Sequence, residues 1–460
     1  MKKYILSSML FGTSLFFATQ LKADAEESVV SYLESMINQC DEVFVETQES
    51  YTEALAAIGS LQNDIITCEA TLIATEQSLQ SYQDDLAGAE DLGPITKIAA
   101  RDFHTVILLE NGSVWAAGLN DNGQLGTGDL FDRTAFTRMV TEPSDIFIDI
   151  AAGYEFSLAL KNDGTVWATG ANESGQLGIG PDGPQLTLTA MTDFNSSVTA
   201  IAAGGYHSLA LKNDGTVWAT GRYNDGQLGI GTPFDQQLTL TAMTDFNSDI
   251  TALAAGEAFS LVLKKDGTVW ATGYNSNGQL GIGSIDTQLT LTAMTDFNSS
   301  ITAIAAGWNH SIVLKNNGTV WATGDNSSGQ LGIGTLDQQL TLTVMTDFNS
   351  DITALAAAGD VSLVLKNDGT VWATGKNNSG QLGIGTSGFG NVREILTAMT
   401  TNNSSVTAIA AGGNHSIVLK NNGTALTTGD NSSGILARGL DSNAISQATT
   451  LGLTARAVQP

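Results

Sequence analysis

Basic residues are scarce in this chain: 19 Lys and Arg stand against 47 Asp and Glu, a formal net charge of −28. A surface of that sign repels nucleic-acid phosphates and anionic lipid, so it argues against nucleic-acid binding and favours a basic partner or an acidic coat suited to a salty or extracellular medium. Proline is held to 6 residues and cysteine to 2, so neither a proline-rich linker nor a disulfide framework organises the 460 residues. Past the N-terminus no apolar run is long enough to cross a bilayer as a helix. Catalytic signatures are also missing. There is no Gly-x-Ser-x-Gly, no His-Glu-x-x-His, and no Lys-Ser/Thr after the glycine-rich loops, so no enzyme, cofactor or metal is expected.

The first residues read as an address rather than as fold. A basic "MKK" precedes the apolar "YILSSMLFGTSLFFAT", and Ala23-Asp24-Ala25 supplies small residues at a cleavage point. This pattern predicts a secretory signal over 1–25 and a secreted or periplasmic bacterial protein with no membrane span in the mature chain.

Residues 26–92 carry 15 acidic residues and no basic ones. Two seven-residue ladders run through them. One is Leu33, Cys40, Thr47, Ala54, Leu61, Cys68, Thr75, Tyr82; the other is Ile37, Phe44, Tyr51, Ile58, Ile65, Leu72, Leu79, Leu86. Alternating steps of three and four predict a long α-helical coiled-coil stalk ended by Gly93-Pro94, with a two-helix hairpin turning near Gly59 as the alternative. Cys40 and Cys68 lie 28 residues apart on one ladder, roughly 42 Å along a helix, too far to bond within it. In a parallel in-register dimer each faces its own copy, which makes both candidates for intermolecular disulfides in an oxidising compartment, or else buried free thiols. The unbroken negative charge opposes self-association until salt, protons, divalent cations or a basic partner relieve it.

Everything after residue 92 repeats. The Trp of "TVWATG" or "SVWAAG" stands at 115, 167, 218, 270, 321 and 372, and Leu426 takes its place in a seventh copy, so the period is about 51 residues. A period of that size marks a solenoid or a propeller. Each unit has a small-residue stretch such as "VTAIAAG", then "HSLALK", an Asn-Gly or Asp-Gly turn, "TVWATG", a "GQLGIG" loop and a β-rich "QLTLTAMTDF". The turn supplies the positive φ a hairpin needs, and four short strands per unit make one blade. The repeat Trp residues are expected to pack between blades. Recent duplication went by pairs: His104, His207, His310 and His415 occupy blades 1, 3, 5 and 7, while Phe156, Phe259 and Val361 hold the place in the others. Histidines spread around a ring cannot converge on one metal ion, so a packing role with a hydrogen bond to neighbouring backbone is expected.

"AAGGYHSLALKNDGTVWATGRYNDGQLGIG", residues 202–231, closely resembles the repeat of the regulator of chromosome condensation family. The resemblance covers all seven units and implies a seven-bladed β-propeller over 93–460. It leaves function open, since such propellers include guanine-nucleotide exchange factors for small GTPases and a secreted inhibitor of β-lactamases. Exchange activity is not favoured here, because these units lack the projecting β-hairpin wedge that the resemblance associates with it.

Variation within a constant frame is where a binding surface is built. The loop before the His/Phe position offers Phe103, Tyr154, Tyr206 and Trp308, with Asp102, Glu155, Glu257 and Asp360 among them. The loop after "TG" offers Arg222, Tyr223, Tyr274 and Lys376. Aromatics mixed with acids suit a protein or peptide ligand bearing basic side chains. The expected protein is thus an exported, non-enzymatic protein-binding scaffold with a homo-oligomeric stalk. Neutral drift of exposed loops, an exchange-type regulator, a cell-wall glycosidase and a structural matrix component are the alternatives.

Overall fold

A computed structural model of the chain describes residues 27–88, 93–192, 197–231, 236–244, 249–295, 300–346, 351–400, 403–437 and 445–450. The secretory signal expected over 1–25 lies outside the described residues. The chain divides into two compact units, Met1–Ala87 and Gly88–Pro460.

The first unit is a single helix, α1, Glu27–Gly88, of 62 residues, about 93 Å long at 1.5 Å per residue. It runs through Gly59 without a break, which corrects the alternative of a two-helix hairpin. A lone glycine in a long helix costs only about 1 kcal/mol, too little to turn a chain whose apolar ladder continues on both sides. Phe44, Tyr51, Ile58, Leu61 and Ile65 are exposed along it.

The second unit is seven four-stranded antiparallel sheets, each built from four consecutive strands. Blade 1 comprises β1 (Ile95–Arg101), β2 (His104–Leu109), β3 (Val114–Gly118) and β4 (Arg133–Arg138). The other blades span 147–190, 198–242, 250–293, 301–344, 352–398 and 406–450. Among the described residues no strand is exchanged between the ends, because the last sheet holds only the last four strands. The ring closes by packing: Ile107, Leu109 and Trp115 of blade 1 share a buried cluster with Ile417, Leu419 and Ala425 of blade 7.

The repeat Trp residues pack as expected. Trp218 lies against Phe156 and Leu158 of the preceding blade, and Trp321 against Phe259 and Leu261 of its predecessor. Five of the six indoles, those of blades 2 to 6, are capped by the Lys that ends the neighbouring strand, with Nζ 4.6 Å from the Trp218 ring at Lys212 and 4.7 Å from the Trp321 ring at Lys315. The strand beside Trp115 ends in Leu109 instead.

All four histidines are fully buried and join adjacent blades. Nε2 lies 2.9 Å from the hydroxyls of Ser157, Ser260 and Ser362 for His104, His207 and His310. Those serines donate to the carbonyls of Gln124, Gln227 and Gln330. A serine has one proton to give, and it is spent on the glutamine carbonyl. The imidazole must therefore donate through Nε2, which fixes a neutral tautomer with a bare Nδ1. His415 repeats the device at the closure, 3.1 Å from the Thr105 hydroxyl, which in turn donates to the Ile435 carbonyl. The partner expected for these rings was backbone; the structure corrects this to a hydroxyl of the next blade relaying to backbone. Burial holds the pKa of His104, His207 and His415 at about 3 and that of His310 at about 4.

Candidate functional site

The two variable loops of every unit meet at one end of the sheets. The first joins the first and second strands, and the second joins the third and fourth. The amide of the residue after "TG" donates to the carbonyl of the residue before the His/Phe position: Leu119 to Phe103, Arg222 to Tyr206, Tyr274 to Ala258, Lys376 to Asp360. The glycine of "TG" is required for this approach. Gly221 has φ +115°, and a Cβ there would lie 2.4 Å from the Tyr206 carbonyl oxygen.

Around the axis several neighbouring first loops are tied to one another. Tyr154 N–H donates to the Gly205 carbonyl, Gly205 N–H to Gly256 and Glu257, and Trp308 N–H to Gly359. Phe103, Tyr154 and Tyr206 follow one another around the axis, with ring centroids 5.2 Å and 5.6 Å apart. The Arg222 guanidinium sits over the Tyr206 ring, 5.9 Å from its centroid.

Blade 1 departs from the repeat at the axis. Where five blades have Gly and blade 6 has Ala358, blade 1 has Arg101, which is buried with Asp102. Arg101 Nη1 donates to the Ala255 carbonyl of blade 4 at 3.3 Å, reaching across the ring. Arg101 Nε lies 3.6 Å from Asp102 Oδ2, which also accepts from Trp308 Nε1 of blade 5 at 3.3 Å. Asp102 Oδ1 has no hydrogen-bond partner among the described residues and fills the space left by the missing side chain of Gly413 in blade 7. One dipeptide thus plugs the axis and links four blades.

The electrostatics of this end are acidic. Burial raises the pKa of Glu155, with Glu173 and Asp121 adding to it. Burial likewise raises Glu257, with Asp102 and Asp225 opposing ionisation and Arg101 and Arg222 favouring it. Asp360 is raised by burial and then by Asp325, Asp102 and Glu257 against the pull of Lys376. Tyr154 and Tyr206 are raised as well, first by burial and then by these carboxylates.

The structure therefore brings together Phe103, Tyr154, Tyr206, Trp308, Glu155, Glu257, Arg222 and Tyr274 at one end of the propeller, all at least partly accessible. Tyr223 is corrected. It is fully buried, packed with Leu209 and Leu228, and its hydroxyl points to the Leu289 carbonyl. It fills the place held by an Asn in other blades, where Asn120 or Asn275 braces the second loop by accepting from the Leu125 or Leu280 amide. Cys40 and Cys68 are both free and exposed on α1.

Sequence reasoning missed the outer part of this end. Phe131 is 73% exposed and Phe389 103%, and Ile285 and Leu336 stand out from equivalent loops just before the fourth strand. Each is a large apolar residue in a mostly polar loop ("GDLFD", where Leu130 is exposed beside Phe131, "SIDT", "TLDQ", "SGFGN"), a signal visible once the loops are aligned by blade. Among the described residues no helix is long and apolar enough to span a membrane.

Comparison with known proteins agrees with this geometry. The chain is 29% identical over 338 residues to the ultraviolet-B receptor UVR8 of Arabidopsis thaliana, covering 69% of this chain and 76% of that one. It is 30% identical over 270 residues to the secretion-regulating guanine nucleotide exchange factor of Bos taurus, covering 55% of this chain and 58% of the relative. The structure of Prp20p from Saccharomyces cerevisiae, described with its binding properties to Gsp1p and histones, superposes with a TM-score of 0.67 at 23% identity, covering 80% and 88% of the two chains. The family described as RCC1-like domain matches residues 68–386 and 188–459, nearly the whole of the repeat region. The chain belongs to the RCC1-like domain family, as a seven-bladed β-propeller preceded by a long helix.

Proposed function

We propose that this protein is an exported, non-enzymatic scaffold that holds a protein ligand on the loop-bearing end of its propeller. The observation that carries the reading is the convergence of both variable loops at one end, on a frame otherwise repeated nearly unchanged. Aromatic rings lie at the centre of that end, carboxylates surround them, and exposed Phe131, Ile285, Leu336 and Phe389 mark the second loops. Large apolar and aromatic anchors within a polar surround are the composition of a protein interface. The receptor and exchange-factor relatives are regulators, which fits a recognition role. The "MKK…ADA" leader supports export to a secreted or periplasmic location.

Crosslinking in the organism's surroundings, with the mature chain as bait, identifies the ligand. Tyr154→Ala and Tyr206→Ala are then expected to weaken its affinity by more than about 1 kcal/mol each while the melting transition stays in place. Unchanged affinity in both variants removes this end from the interface.

Helix α1 supplies multiplicity in this reading. Its exposed ladder of Phe44, Tyr51, Ile58 and Ile65 suits a copy of itself, and an oligomer gains avidity without new contacts at the propeller. Non-reducing electrophoresis of the exported protein is expected to show a dimer band that reductant removes and that Cys40→Ser with Cys68→Ser abolishes. A monomer in every lane, together with monomeric mass in solution, ends the oligomeric stalk.

A further inference from the structure

Resting on the reading of this end as the binding surface, we infer that it contains a subsite for one cationic side chain, an arginine guanidinium or lysine ammonium of the partner. The Tyr154 and Tyr206 rings form its apolar wall, Glu155 and Glu257 its anionic border, and Arg222 occupies it until the partner arrives. Four observations on different atoms converge here.

The first is Asp102. It is 2% exposed, its Oδ1 has no donor among the described residues, and its charge is felt by Tyr154, Tyr206 and Glu257. Arg101 offsets it in part but directs Nη1 away, to the Ala255 carbonyl. Asp102 Oδ1 faces Gly413 of blade 7, and Arg101 Nε and Nη2 also lack hydrogen-bond partners among the described residues. What Asp102 lends the Tyr154–Tyr206 wall is therefore its charge at a distance rather than a direct contact. The second is the pair of half-buried glutamates, whose ionised forms are disfavoured where they stand. Carboxyls held in that state gain most from an added positive charge.

The third is the wall. Tyr154 and Tyr206 are tilted by 41° with centroids 5.6 Å apart, and aromatic faces next to carboxylates attract cations through both the ring quadrupole and the charge. The fourth is Arg222 itself. Its guanidinium already lies over the Tyr206 ring, so the ring accepts a planar cation, yet the side chain is 41% exposed and its ion pair to Asp225 is long at 3.9 Å. A loosely held internal cation of the same chemistry is readily displaced by one delivered on a partner with contacts of its own.

The test uses the full-length protein and two capped nonapeptides of alternating Gly and Arg or Gly and citrulline, the second keeping shape and hydrogen bonds while losing charge. Titration calorimetry at low salt is expected to give the arginine peptide at least about tenfold tighter binding than the citrulline peptide. Tyr206→Ala and Glu257→Gln each weaken it at least about fivefold, whereas Asp163→Asn with Asp214→Asn, at the opposite end of the sheets, leave it unchanged. Arg222→Ala tightens it at least about threefold, because the internal competitor is gone.

Equal binding of the citrulline peptide overturns the subsite. So does an affinity indifferent to Tyr206 and Glu257, which reduces the binding to bulk attraction by an acidic protein. A failure of Arg222→Ala to tighten binding overturns the displacement. If the Tyr154 and Tyr206 variants weaken the crosslinked partner while the arginine peptide ignores them, the surface stands and the cationic subsite alone falls.

Discussion

Replacing Gly153 by alanine is expected to cost the propeller about 3 kcal/mol, although the change adds one methyl group at a position with no unusual backbone angle. A Cβ there would lie 2.0 Å from Cε1 and 2.4 Å from Cδ1 and Cζ of Phe156, three residues on. Phe156 is fully buried against Leu158, Leu160 and Val166, so its ring has nowhere to go. The chain itself contains the compensated pair: blade 6 has Ala358 where blade 2 has Gly153, and Val361 where blade 2 has Phe156. Small beside large and medium beside medium are two fillings of one volume.

Phe156→Val alone leaves a cavity and is expected to cost about 2 kcal/mol. Gly153→Ala with Phe156→Val is expected to be more stable than the sum of the single costs by about 2 kcal/mol, a coupling that denaturant unfolding followed by Trp fluorescence measures. If the double variant still falls short because the loop between the two residues resists, grafting all of 358–361 in place of 153–156 should restore stability. Strict additivity in both versions refutes the paired-volume account.

How much of this was legible beforehand follows from what repetition shows and what it hides. The seven sheets, the tight turns and the Trp packing were readable because a physical requirement met seven times writes itself into the sequence seven times. The alternation of His with Phe or Val was visible too, but its meaning was not. The hydroxyl that each imidazole meets belongs to the next blade, 52 residues away for His310 and Ser362 and 310 residues away for His415 and Thr105 at the closure. Linear spacing carries no sign of that contact.

Departures from the repeat were harder still. Arg101 was passed over because one residue out of pattern reads as drift at the edge of the first copy, whereas in space it is the plug of the axis. Tyr223 was misplaced for the opposite reason. A tyrosine in a variable loop reads as exposed, and only packing shows that it replaces a buried bracing Asn.

Acidification to pH 5 is expected to remove most of the propeller's stability, and the histidines set the direction. Their folded pKa values of about 3 to 4 lie below the ordinary 6.5, so the unfolded chain binds protons that the folded chain refuses. Stability is therefore greatest above pH 6.5 and is lost as pH falls toward the folded values. Between pH 7.5 and 5 each histidine contributes about 2 kcal/mol to that loss, and the four together about 8, comparable with the whole stability of an ordinary domain.

Glu155, Glu257 and Asp360 work the other way, because their raised folded pKa values make protonation favour the folded form as pH falls. They are only partly buried, so their offset is smaller than the histidine loss. His310→Phe copies the Gly-Phe pairing of Gly256 and Phe259, keeps Ser362 bonded to the Gln330 carbonyl, and removes one titrating ring. Its urea midpoint is expected to change little at pH 7.5 and to exceed that of the parent at pH 5, with the stability difference between the two pH values shrinking by about 2 kcal/mol. An undiminished pH dependence in this variant and in its His207→Phe counterpart means that the buried imidazoles do not govern acid unfolding. The carboxylates would then have to be the controlling groups.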